Sequence, residues 1–251
     1  MSAAMGAGVV LRRADWRGIE GVIVDLDGTM VDTAGDFHAS INAMLLTLGR
    51  QHPNLGPVAP MSEQEIVSYV GKGSENLIRR VLDARFSPLH ANGLFADAYA
   101  LYDREYIRIN GQFSQVYPGV REGLASMKAG GLRLACVTNK PYSFTEPLLA
   151  KTGLAQYFEL VYGGDAFPLR KPDPFPLLKV ADAFGLEPSA MAALGDSEND
   201  AQAARAAGMG VLLVPYGYNH GNPVQGVDAD GIVDSIAHAA ALFAAHWAGH
   251  R

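Results

Sequence analysis

The chain has 251 residues, 49% of them hydrophobic and 18% charged, with a formal net charge of −6. That balance suits a globular chain long enough for one large domain or two modest ones, and the lack of a Lys/Arg run argues against nucleic acid as a partner. Cys136 is the single cysteine, which excludes an intrachain disulfide and suits a reducing compartment.

At the N-terminus, MSAAMGAGVVLRRADW carries its arginines after the short apolar run, the reverse of a signal peptide. No apolar run approaches the ~20 residues that span a bilayer. The expectation is a cytoplasmic protein with no membrane partner. GVIVDLD (residues 21–27) is the first strand pattern, continuous instead of alternating, as in strands buried on both faces of a parallel sheet. From 34 to 115 every pattern is helical: FHASINAMLLTLG, SEQEIVSYV, ENLIRRVLDARF and LFADAYALYDREYIRI. Strand–helix alternation resumes at VYPGV.

Helices are then predicted over 120–129, 145–152, 174–184 and 200–207, with Pro174 and Asp200 suited to starts and Gly153, Gly185 and Gly208 to stops. Strands are predicted at LRLACVTN (132–139), FELVYGG (158–164), MAALGDS (191–197) and GVLLVPYG (210–217), and an Ala-rich helix at 234–248. Alternating strands and helices predict an α/β fold, a doubly wound parallel sheet with a Rossmann-like core. The predicted division is a catalytic core of 1–33 plus 116–251, with an inserted all-helical cap domain at 34–115.

In such a sheet, ligands bind beyond the carboxyl ends of the strands, so the polar residues where apolar runs end carry the information. These are Asp25, Asp27 and Thr29; Thr138, Asn139 and Lys140; and Asp196, Ser197, Asn199 and Asp200, with Lys171 lying between prolines in RKPDP. Alone, each has an ordinary explanation: a solvated Asp-Gly turn, a strand-end threonine, a surface lysine, a helix-capping aspartate. Among them, the carboxylates of Asp25, Asp27 and Asp196, the Thr138 hydroxyl and the Lys171 ammonium converge at one rim. Carboxylate oxygens suit a hard cation such as Mg²⁺, and the cation offsets the mutual repulsion of Asp25, Asp27 and Asp196. One carboxylate can then act as nucleophile and another as acid and base.

DLDGT, VTN, the lysine of KPDP and GDSEND resemble, in order, the four motifs of the haloacid dehalogenase superfamily, with a helical cap after the first. The resemblance implies that Asp25 attacks phosphorus to form an aspartyl-phosphate. Asp27 protonates the leaving group and later activates water, while Thr138 and Asn139 bind phosphate. Lys171 neutralises charge. Asp196 binds Mg²⁺ with the Asp25 carboxylate and the Asp27 carbonyl, supported by Asp200. Leu26, between the two aspartates, is counted among the substrate-binding positions. Asp27 itself implies phosphate transfer, because dehalogenase members lack the second carboxylate.

Within that family, DGTMVDT, VTNKP, RKPDP, GDSENDAQAARAAG and YGYNHG are similar to bacterial phosphoglycolate phosphatases, which implies 2-phosphoglycolate as substrate. The stretch GKGSENLIRRVL is similar to the cap loop lowered onto the leaving group, with Gly71 and Lys72 at the substrate and Arg79 or Arg80 as further cations. The implied partner is a small phosphorylated metabolite, and the assembly a monomer or homodimer. Phosphatases for sugar phosphates or pyrophosphate stay open as alternatives. So do a phosphomutase, a phosphonate hydrolase using Lys72, and a non-catalytic binding module. His220 is expected to be solvated in a loop, and Cys136 to be a small buried residue.

Overall fold

The computed structural model describes residues 10–12 and 16–247; most of the N-terminal segment read above, and Ala248 of the last helix, lie outside the described residues. In chain order the elements are β1 (Val10–Leu11), β2 (Gly21–Val24), β3 (Val31–Asp32), α1 (Ala34–Gln51), α2 (Glu63–Val67), α3 (Ser74–Arg85), α4 (Pro88–Ile109) and β4 (Gln115–Val116). They continue with α5 (Val120–Ala129), β5 (Arg133–Val137), α6 (Tyr142–Thr152), β6 (Leu160–Tyr162), α7 (Phe175–Phe184), β7 (Met191–Gly195), α8 (Glu198–Ala207), β8 (Gly210–Leu213), β9 (Gly231–Ile232) and α9 (Ile236–Trp247). No helix among the described residues is long and apolar enough to cross a membrane.

The main sheet runs β1-β9-β8-β7-β2-β5-β6. Six strands are parallel, and β1 joins the edge antiparallel to β9. This corrects the all-parallel expectation at one edge: strands of two residues, such as β1 and β9, are too short to show a pattern. Val24 pairs with Cys136 on one side and Leu194 on the other, so β2, β5 and β7 end at the same level. The chain leaves β2 in one direction and returns on its other side, which opens the crevice at the carboxyl end of β2.

Alternate side chains of β2 feed two cores. Val22 and Val24 pack with Leu124, Met127, Ile236 and Phe243 of α5 and α9, and Ile23 packs with Leu177, Val180 and Ala204 of α7 and α8. A third apolar cluster belongs to the helical segment, where Ile41, Met44, Leu48, Ile78, Val81, Ala98 and Tyr102 are wholly or almost wholly buried. Phe144 and Tyr218 join this cluster from the sheet side.

The helical stops are as predicted: Gly153, Gly185 and Gly208 end α6, α7 and α8 in the left-handed conformation. The starts differ. Helix α8 is capped by Ser197, not Asp200; Asp200 sits at its third position and closes a capping box back onto Ser197. Helix α6 begins at Tyr142 because the Phe144 and Thr145 amides already bond to the Pro141 carbonyl. Helix α9 begins after Ser235, whose hydroxyl accepts from the His238 amide.

The chain passes between sheet and helical segment twice, and those passages are tied together. β3 and β4 pair as Val31 with Val116 and Asp32 with Gln115. Beside them, the fully buried Asp36 carboxylate accepts from the Gly111 amide at 2.5 Å, the Phe113 amide at 2.7 Å and the Ser114 hydroxyl. Asp36→Ala would strand these donors in a dry site and is expected to lower unfolding free energy by about 3 kcal/mol, measured by urea denaturation. A loss within error would mean that water replaces the carboxylate.

Candidate active site

The turn after β2 aims two carboxylates beyond the sheet. The Asp25 amide takes one more sheet bond, to the Leu194 carbonyl, and the Thr29, Met30 and Val31 amides then converge on the Leu26 carbonyl. Gly28 adopts φ 84° in this turn, and a Cβ there would lie 2.6 Å from Asp196 Oδ2. Both the dihedral and the space therefore demand glycine. Leu26, expected at the substrate, is wholly buried and does not line the cleft.

Asp196, directly after β7, accepts from Thr29 Oγ1 at 2.9 Å and from the Tyr218 amide at 2.6 Å. Asp200 accepts from the Ser197 amide and hydroxyl through Oδ2. Lys171 closes the group, with Nζ donating to Asp25 Oδ1 at 2.8 Å, Asp200 Oδ1 at 2.7 Å and the Val137 carbonyl at 2.7 Å. Burial works to lower the Lys171 ammonium, but its ion pairs with Asp200 and Asp25 outweigh that and raise it. Burial raises Asp25 to about 7 against the pull of Lys171. Asp196, pushed up by burial and by Asp200 and Asp25, reaches about 8.

Asp25, Asp196 and Asp200 offer oxygens within 4.8 Å of one another. Among the described residues Asp196 has only neutral donors, so a buried carboxylate there lacks a countercharge. The oxygen-only donor set and this uncompensated charge fit a divalent cation. The Asp27 carboxylate lies outside the cluster. It is held instead by Thr33 Oγ1 at 2.8 Å and by Lys140 Nζ at 3.0 Å.

The turn after β5 supplies the next three residues. Thr138 Oγ1 is buried and accepts from the Lys140 amide. Asn139 Nδ2 donates to the Lys171 carbonyl and, at 2.9 Å, to the Gly71 carbonyl of the helical segment. Asn199 Nδ2 donates to the same Gly71 carbonyl at 3.0 Å. Two amides from the sheet side thus hold one loop of the helical segment. His220 reinforces them. Its Nδ1 lies 2.8 Å from the Val70 carbonyl, which can only accept, so Nδ1 carries the proton and Nε2 accepts from Asn199 at 3.1 Å. His220 is half-buried, which corrects the expectation of a solvated loop residue; burial lowers its pKa.

Together these residues line a cleft of about 620 Å³. Asp25, Asp27, Thr138, Asn139, Lys171, Asp196 and Asp200 border it from the sheet side; Phe37, Val70, Gly71, Ser74, Leu77 and Tyr102 face them. Lys72 is exposed and does not line the cleft, unlike its neighbour Gly71. Arg79 pairs with Glu75 and stacks on Phe95, and Arg80 bonds to the Ser68 carbonyl over Tyr69. Sequence reading left Lys140 and His220 without a role, although both stand in quoted motifs. The rim rule that selected Thr138 applies equally to Lys140. Tyr106 carried no signal, being one aromatic in a helical pattern.

Residues 19–208 match the family model described as haloacid dehalogenase-like hydrolase. The chain belongs to the haloacid dehalogenase-like hydrolases. It is 45% identical over 224 residues to a phosphoglycolate phosphatase of Thiobacillus denitrificans, covering 89% of this chain and 95% of that one. It is 46% identical over 224 residues to one from Nitrosospira multiformis, with the same coverage. A crystal structure of a predicted phosphoglycolate phosphatase from Haemophilus somnus superposes with a TM-score of 0.77 at 32% identity, covering 88% of this chain and 96% of that one.

In this hydrolase the raised values of Asp25 and Asp196 mean that the folded, metal-free chain favours their protonated forms. That contribution to stability is full below the ordinary carboxylate range and is lost as pH rises through about 7 and 8. After EDTA treatment, melting temperature is expected to fall across this window. An added divalent cation binds the ionised forms and should stabilise more as pH rises. Scanning fluorimetry with and without the cation checks this; an equal shift at every pH would contradict it.

Proposed function

We propose that this hydrolase is a Mg²⁺-dependent phosphomonoesterase that converts 2-phosphoglycolate to glycolate and phosphate through an aspartyl-phosphate. The observation that carries the reading is the second carboxylate: Asp27 lines the same cleft as Asp25 but stands apart from the Asp25, Asp196 and Asp200 cluster. It is therefore available to the leaving group. The names of the relatives from Thiobacillus denitrificans and Nitrosospira multiformis support the substrate.

Asp25 is the nucleophile. Its Oδ1 is occupied by Lys171, and its other oxygen attacks phosphorus as the ester P–O bond breaks. Asp27 gives its proton to the departing ester oxygen, so glycolate leaves with its hydroxyl restored. Water then attacks the acyl phosphate while Asp27 takes its proton back, and phosphate and the free Asp25 carboxylate result. Thr138 Oγ1 and the Asn139 backbone amide receive phosphoryl oxygens. Asp25, Asp196, Asp200 and the Asp27 carbonyl would hold Mg²⁺, which draws charge from the phosphoryl oxygens when bound.

The segment 34–115 acts as a cap, with the Gly71 loop closing the cleft against water. Asn139, whose amide bonds to Gly71 and Lys171, then serves the closed cap as well as the phosphate rim. A phosphonate-cleaving reaction through a lysine imine is not favoured, since Lys72 is the one lysine between residues 34 and 115 and lies outside the cleft lining.

Phosphate release from 2-phosphoglycolate, hexose phosphates, pyrophosphate and p-nitrophenyl phosphate, with Mg²⁺ and with EDTA, tests the reading. The expected result is Mg²⁺-dependent release with 2-phosphoglycolate preferred. Asp25→Asn should lose turnover by roughly four orders of magnitude or more with an unchanged circular dichroism spectrum; substantial residual activity would sink the nucleophile assignment. Asp27→Asn should also cripple hydrolysis, and a normal rate would remove its acid/base role.

A further inference from the structure

We propose that Lys140 is the specificity-determining residue that pairs with the carboxylate of the leaving group. The inference rests on the 2-phosphoglycolate reading above and assigns the cation that reading requires. A carboxylate in a cleft with an apolar wall needs a positive partner to offset its desolvation. Among the described residues lining the cleft, two ammonium groups occur, those of Lys171 and Lys140.

Lys171 cannot serve. Its three N–H donors are taken by Asp25, Asp200 and the Val137 carbonyl, all at 2.8 Å or less. Lys140 is differently placed. Its side chain is 2% exposed, and Nζ donates to Tyr106 Oη at 2.6 Å and to Asp27 Oδ1 at 3.0 Å. The further contact is a long one of 3.3 Å, to the other oxygen of the same Asp27. The rings of Phe37 and Tyr106 stand 4.9 and 4.5 Å away. A dry ammonium with aromatic neighbours and a weakly used donor is poised for a second anion.

Position agrees with charge. Asp27 addresses the ester oxygen, and in a 2-phosphoglycolate leaving group the carboxyl carbon is two bonds from that oxygen. The carboxylate must therefore lie beside whatever touches Asp27, and Lys140 touches it. Rival cations are worse placed: Lys72 and Arg170 are exposed and do not line the cleft, and Arg79 and Arg80 are engaged on the outer side of α3.

The test compares kcat/KM for 2-phosphoglycolate with that for 2-hydroxyethyl phosphate, in which CH₂OH replaces the carboxylate. Wild-type protein should prefer the carboxylated ester. Lys140→Gln should shrink that preference roughly 10- to 100-fold, the worth of a hydrogen bond between charged groups, and Lys140→Arg should restore part of it. Equal losses on both esters would mean that Lys140 serves Asp27 alone, which overturns the proposal. Lys72→Ala, at an exposed position, should keep the wild-type ratio. Its collapse there overturns the proposal whether or not Lys140→Gln folds. A wild-type protein that prefers neither ester refutes the substrate reading itself. Preference in the wild type with an unchanged ratio in Lys140→Gln refutes only the assignment of Lys140.

Discussion

The buried ammonium of Lys171 is the constraint on which the site depends. Asp25 and Asp200 come from different parts of the chain, and the fold brings their carboxylate oxygens within 4.8 Å. Without a cation between them, two ionised groups in so dry a place would repel, and one would stay protonated. Lys171 answers both at hydrogen-bond distance while its third donor is anchored on the Val137 carbonyl. The ammonium is thereby tied to the end of β5, the strand that also delivers Thr138. Loss of that one charge would disturb Asp25, the capping box of α8 and the end of β5 together.

Asp196 shows the complementary situation. Its partners are a hydroxyl and two backbone amides, which orient the carboxylate without cancelling its charge. Glycine at 28 leaves room beside Oδ2, the oxygen that the Tyr218 amide holds, while Thr29 holds Oδ1. The rim therefore contains one carboxylate set answered by a lysine and one poised for a divalent cation. Asp27 stands outside both, held by Thr33 and Lys140. Four aspartates of like chemistry are separated by what surrounds each one.

The helical segment completes the cleft through backbone as much as side chain. The Gly71 carbonyl accepts from Asn139 and Asn199, and His220 bonds to the adjacent Val70 carbonyl. A glycine at φ 117° is needed there, because a Cβ would come within 2.6 Å of the His220 ring. Such contacts register where the loop is without reading its side chains, and they leave Phe37, Leu77 and Tyr102 to form the apolar wall.

The sequence by itself determined the strand–helix alternation, the run of helices that interrupts it after β3, and the residues Asp25, Asp27, Thr138, Lys171, Asp196 and Asp200 that border the cleft. The reason is local: continuous apolar runs mark strands buried on both faces, and polar residues at their carboxyl ends mark the rim of such a sheet. The glycine stops were legible because only glycine enters the left-handed turn without strain. Two-residue strands were not, since so short a run has no period. Tertiary structure alone decided that Lys140 spans from Asp27 to Tyr106, that Asn199 and His220 grip the Gly71 loop, and that Lys72 points outside the cleft lining. Each of these depends on which side chains, distant in sequence, the packing of the helical segment on the sheet brings within hydrogen-bond reach.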